Sequence, residues 1–172
     1  MKRIVITGAE STGKTTLTQE LANHFTAPYS DEYVRQYASE INRAIAAEDI
    51  DPIARGQLVM EEYAEAQSRN GLVFHDTNLL STQIYTTHYF NSKIDWLKDV
   101  FKNRTYTHYL LCMPDIPWVA DLGQRESPKA RDALHEKFLA ALKINNLPYS
   151  CIRGDRNTRR EMAIQAVQAL EV

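Results

Sequence analysis

The sequence predicts an α/β protein of three layers, with a parallel sheet of about five strands between helices on both faces. Two observations carry this prediction. Short apolar runs rich in β-branched residues recur along the chain, and stretches with helical apolar spacing separate them. Each run is apolar throughout rather than alternating, as expected for strands covered on both faces. Right-handed crossovers then bring the C-terminal ends of the strands to one edge, where ligands bind.

Each element follows from its residues. "RIVIT" (Arg3–Thr7) is the first strand, short, β-branched and ended by Gly8. "KTTLTQELANHF" places Leu17, Leu21 and Phe25 at helical spacing. "APYSDE" is a weak strand. Helical patterning covers Glu32 to about Ile45 and Pro52 to about Arg69. Gly71 opens the buried strand "GLVFHD", which ends on Asp76. "LLSTQIYTTHYF" and "IDWLKDVFKN" are helical, and "THYLLCM" is a strand halted by Pro114. Residues 114–131 carry Pro114, Pro117, Gly123 and Pro128 and read as a lid-like loop. "RDALHEKFLAALKIN" is a helix and "LPYSCIRG" the last strand. "NTRREMAIQAVQALEV" is the last helix, with Asn157 or Thr158 as its N-cap.

The 172 residues fit one domain spanning 1–172, and a net charge of −2 offers no broad basic face for nucleic acid. Cys112 and Cys151 lie in apolar, strand-like runs without metal-ligand spacing. They read as buried free thiols suited to a reducing, cytoplasmic setting. The N-terminal apolar run is too short for a signal peptide. No stretch approaches a membrane span, so no membrane partner is expected.

"GAESTGKT" matches G-x-x-x-x-G-K-[ST] at Gly8, Gly13, Lys14 and Thr15, between a strand and a helix. That is the phosphate loop of the P-loop NTPases. Glycines let backbone N–H groups converge on phosphate, and the following helix adds its positive end. Glu10, Ser11, Thr12 and Thr16 complete the cradle. Lys14 is expected to reach the β- and γ-phosphates, and Thr15 to offer its hydroxyl to Mg²⁺. ATP and Mg²⁺ are therefore the expected cofactors. Asp76, at a strand end, is a second metal ligand or a helix N-cap. Glu32 and Arg35 in "DEYVRQY" are either base and substrate-orienting fork or a solvated first helical turn. Trp118 is a loop plug or part of a lid. Arg125 and Arg131 supply lid charge to a transferring phosphoryl group, or serve solubility. A lid with arginines favours phosphoryl transfer over a switch, and no Asn-Lys-x-Asp guanine-reading motif is present.

"GAESTGKTT", "EYVRQY", "FHDTN" followed by "STQ", and "PWVAD" occur in the order seen in the NadR-type nicotinamide riboside kinase domain, within the AAA-like P-loop proteins. The chain resembles that family over nearly its whole length. The resemblance implies a nucleoside-kinase-like fold and transfer of the ATP γ-phosphate to the 5′-hydroxyl of nicotinamide riboside. It implies that Glu32 or Asp76 is the general base and that Arg125 neutralises the transition state. Glu32, Arg35, Asp76, Asn78, Trp118 and Asp121 are assigned to the acceptor side, and Tyr63 to the nicotinamide ring. Arg156, Arg159 and Arg160 are candidates to stack on adenine. Where bifunctional members have tryptophan before the Glu-Tyr, this chain has Asp31, with Tyr29 two places earlier. Tyr29, Trp118 or the Asp31 charge then meets the ring, or the acceptor is a different nucleoside or small metabolite. The family's adenylyltransferase and regulatory domains have no counterpart, so the expected product is the mononucleotide. An ATP-binding regulatory module without kinase activity is the reading from another functional class.

Overall fold

The computed structural model describes residues 1–118 and 128–170. Its five strands are β1 (Lys2–Thr7), β2 (Tyr29–Ser30), β3 (Leu72–Asp76), β4 (His108–Cys112) and β5 (Tyr149–Ile152). All pair in parallel, in the order β2-β3-β1-β4-β5. The phosphate-loop strand is thus central, as the buried run "RIVIT" requires. The helices are α1 (Lys14–Phe25), α2 (Tyr33–Ile41), α3 (Ile50–Ala66), α4 (Leu79–Phe90), α5 (Leu97–Asn103), α6 (Pro128–Ile144) and α7 (Arg156–Gln168).

Side-chain alternation along β1 divides the core. Ile4 and Ile6 pack with Phe74 and Leu110 beneath α1 and α7, through Leu17, Leu21, Ala163 and Val167. Val5 points to the other face, with Tyr109 and Leu111, against Ile84 of α4 and Leu134 and Phe138 of α6. Each fully buried side chain of this size contributes about 1.5–3 kcal/mol of transfer free energy, so both faces hold the sheet. A smaller cluster of Ala54, Leu79, Ile94 and Leu97 ties α3, α4 and α5 together.

Four local expectations are corrected. The helix from Glu32 ends at Ile41, where Asn42 turns left-handed (φ 49°), instead of reaching Ile45. The loop over 114–131 gives way to α6 at Pro128, because proline is tolerated in a helix's first turn. Asp155, rather than Asn157 or Thr158, caps α7, accepting from Thr158 N at 2.8 Å. Cys151 is exposed on edge strand β5, whereas Cys112 is buried and its thiol is pushed up to about 11 by desolvation.

Candidate active site

The register Ile6↔Asp76 and Thr7↔Leu111 brings the ends of β1, β3 and β4 level. The loop after β1 leaves at this edge. Gly8 has φ 133°, and a Cβ there would meet the Cys112 carbonyl oxygen at 2.7 Å, so only glycine fits. Gly13 (φ 78°) is the N-cap of α1, with no side-chain cap and no acidic residue in the first turn. The helix's first N–H groups are therefore left for an anion. Thr12 Oγ1 donates to the Ala9 carbonyl at 2.8 Å, closing the loop on itself.

Lys14 is buried, and its Nζ donates to the Ala9 carbonyl at 2.8 Å. Thr15 Oγ1 donates to Asp76 Oδ2 at 2.5 Å. Asp76 Oδ1 is buried with no hydrogen-bond partner among the described residues. Burial, and then the neighbouring Glu32 charge, push this carboxyl up to about 6. Thr77 follows at φ 66°, a strained conformation for a β-branched residue, held by its N–H to the Ile6 carbonyl at 3.0 Å. The Thr15 hydroxyl and the Asp76 carboxylate, meeting at a phosphate loop, form a hard oxygen donor set of the kind Mg²⁺ takes.

Beside this edge opens a cavity of about 940 Å³ between α2, the start of α3 and α4. Lys14 and Glu10 line it from the loop side, and Glu32 and Arg35 from α2. Arg35 Nε donates to Glu32 Oε2 at 2.9 Å, and the Glu32 side chain is only 13% exposed. A half-buried carboxylate, a lysine and a phosphate loop thus share one space.

The remaining sequence-named residues separate from it. Tyr63 is 72% exposed on α3 and does not line the cavity, because α3 turns Ile50, Ile53 and Gln57 inward instead. Tyr29 and Asp31 are exposed and also lie outside the lining. Asn78 is a structural cap: its Oδ1 accepts from Leu80 N at 3.1 Å, and its Nδ2 donates to Tyr109 Oη at 3.0 Å. Trp118 is half-buried outside the cavity. Asp121 and Arg125 lie outside the described residues. Arg131 is buried and donates to the carbonyls of Ile116 and Pro114, both at 2.9 Å, pinning the loop rather than facing a ligand. Arg159 is likewise buried. It donates to the carbonyls of Thr12 (2.9 Å), Met113 (2.7 Å) and Gly154 (2.7 Å) and pairs with Asp115, so it braces the phosphate loop instead of offering a free face. Arg156 and Arg160 are exposed, and Arg156 pairs with Glu20 at 2.6 Å.

Sequence reasoning missed the wall supplied by α4. Ser81, Thr82, Tyr85 and Tyr89 line the cavity, and the two tyrosine rings run parallel (6.2 Å between centroids, 8° between planes). Their i, i+4 spacing in "YTTHY" was the available signal.

A second polar cluster lies behind β3. Single ligand atoms of Glu61, Glu65 and His75 come within 4.8 Å of one another, as metal ligands do. Arginines already fill the space: Arg104 pairs with both glutamates and Arg3 Nη2 with Glu65 Oε2 at 2.9 Å. Burial pushes Glu61 up to about 7 and His75 down to about 3.

Known proteins resemble this arrangement. The family described as AAA domain matches residues 3–159. The trifunctional NAD biosynthesis/regulator protein NadR of Salmonella typhimurium is 29% identical over 154 residues, 87% of this chain and 37% of that protein. A NadR structure in complex with NAD and AMP-PNP superposes with a TM-score of 0.82 at 26% identity, over 98% of this chain and 49% of that one. A NadR complex with NR gives 0.80 at 24%, over 98% and 51%. A deoxyadenosine kinase from M. mycoides with bound dATP gives 0.66 at 14%, over 98% and 100%, a likeness of fold. The chain spans about half the length of the NadR structures and 37% of the curated relative. Among the described residues, no helix is long and apolar enough to cross a membrane.

Proposed function

This chain belongs to the AAA domain family, and from that premise we propose that it is an ATP- and Mg²⁺-dependent nucleoside kinase. We propose nicotinamide riboside as the acceptor, the mononucleotide as product, and a single kinase domain over 1–172 whose lid runs from 114 to the start of α6. One observation carries the reading. An uncapped phosphate-loop helix with Thr15 and Asp76 adjoins a cavity of about 940 Å³ that Lys14 and the carboxylate of Glu32 line together. The likeness to NadR structures holding an ATP analogue and NR supports it.

In this reading the loop amides and Lys14 hold the β- and γ-phosphates, Lys14 exchanging the Ala9 carbonyl for phosphate oxygen. Thr15 and Asp76 would hold Mg²⁺, which when bound neutralises charge on the phosphates. Asp76 is tied to Thr15, which leaves Glu32 as the general base facing the acceptor. Glu32 takes the proton of the attacking hydroxyl as its oxygen bonds to the γ-phosphorus and the bond to ADP breaks. Arg35 orients Glu32 through their ion pair, and Arg125 supplies positive charge to the transferring group. Most of the acceleration comes from positioning and charge rather than covalent chemistry.

A second reading, a kinase for another nucleoside, is favoured by the absence of Tyr63 and Asp31 from the cavity lining. One assay separates the readings: ATP, Mg²⁺ and a nucleoside panel, followed as acceptor-dependent ADP. Release with nicotinamide riboside is the expected result. Release only with another nucleoside establishes the second reading. Tight ATP binding with no acceptor-dependent release overturns both and leaves a nucleotide-binding module.

A further inference from the structure

We infer that Gln57 selects the acceptor by donating a hydrogen bond to a carbonyl oxygen on its base. The inference rests on the kinase reading and adds a substrate feature to it. Gln57 lines the cavity from α3 while being only 2% exposed. Its Oε1 accepts from the Tyr33 N–H at 2.9 Å. That N–H is the first of α2 and has no intrahelical acceptor, so it fixes which end of the amide faces it. The opposite end, Nε2, is buried without a hydrogen-bond partner. A buried donor with no acceptor is destabilising, and a ligand that supplies one is favoured.

The neighbouring glycine locks this arrangement. A Cβ on Gly56 would meet the Tyr33 ring at 2.0 Å, so the ring lies directly on the backbone of α3 and holds α2 in register with Gln57. With its oxygen committed, the amide can only donate into the cavity. It therefore suits a carboxamide or ring carbonyl and disfavours a base presenting only N–H groups. Tyr85 and Tyr89 in the same lining offer flat faces for such a ring.

The test is a two-by-two comparison of wild type and Gln57→Met with nicotinamide riboside and the pyridinium riboside lacking its carboxamide. Wild type should prefer the carboxamide riboside by about 10–100-fold in kcat/KM. Gln57→Met should lose that preference, chiefly through a raised KM for the carboxamide riboside. A preference unchanged in the variant, or equal losses on both substrates, overturns the inference and leaves Gln57 as a cap of α2. Should Gln57→Met fail to fold, Gln57→Glu at pH 8 keeps the acceptor for Tyr33 N–H, removes the donor, and is expected to show the same loss. Calorimetric binding of both ribosides to protein loaded with an ATP analogue repeats the comparison without turnover. Absent turnover with both ribosides then overturns nicotinamide riboside as the acceptor, whereas an unchanged binding difference overturns the role of Gln57.

Discussion

The two polar regions flanking β3 use similar residues to opposite ends. Behind the strand, Glu61 receives Arg104 and the Tyr106 hydroxyl, while Glu65 receives Arg104 and Arg3. At the strand's end, Asp76 receives only Thr15 among the described residues, and Lys14 leans on a backbone carbonyl rather than a carboxylate. Buried charges are normally paired, because desolvation is costly. The cluster behind pairs both glutamates with arginine, although Glu61 Oε1 and His75 Nε2 stay without a hydrogen-bond partner among the described residues. The mouth differs: Asp76 Oδ1 has no partner among the described residues, and Lys14 Nζ has a backbone carbonyl rather than a carboxylate.

Breaking the mouth should remove activity and spare the fold. Lys14→Ala is expected to lower kcat by on the order of 10³-fold while unfolding free energy moves by under about 1 kcal/mol. Near-wild-type turnover would overturn the site. Breaking the cluster behind should do the reverse. Arg104→Ala leaves Glu61 and Glu65 short of positive charge, and urea titration should register a loss of about 3–5 kcal/mol. The kcat per folded molecule should stay at the wild-type value; a parallel loss would mean that the two regions act as one.

The smallest effect is a pH dependence. Folding raises Glu61 from 4.5 to about 7, so the folded chain keeps a proton that the unfolded chain releases. Its contribution is full at acid pH and is lost as pH rises across that window. Wild type should therefore lose about 3 kcal/mol relative to Glu61→Gln between pH 4.5 and pH 8. A constant gap would mean that Arg104 keeps Glu61 ionised throughout. His75, pushed down to about 3, has the opposite sign, and its contribution is lost as pH falls below 6.5.

Local features were legible in the sequence. The strand, loop and helix around Gly8–Thr15 occupy consecutive residues, and the strand ending on Asp76 announces itself by its apolar run. Glu32, by its place after a strand, reads either as a base or as part of a solvated first helical turn, and the cavity lining places it beside Lys14. The cavity wall was not legible, because it depends on how α2, α3 and α4 pack. Tyr63 is an aromatic on a helix that feeds the cavity, but on the wrong face, and only the rotation of α3 decides between it and Gln57. Asn78 and Arg159 have side chains suited to ligands. Their neighbours claim them first, as the cap of α4 and the brace of the phosphate loop. Cys151 reads as buried, yet an edge strand leaves it uncovered.

The bond from Arg159 to the Thr12 carbonyl joins residues 147 positions apart. At ordinary translation rates of roughly 5–20 residues per second, the loop leaves the ribosome roughly 7–30 s before the arginine that braces it. The nascent chain thus carries its nucleotide-binding signature well before the contact that gives it final shape. That contact arrives only when α7 docks beside α1, which makes completion of the last helix a checkpoint on the first loop.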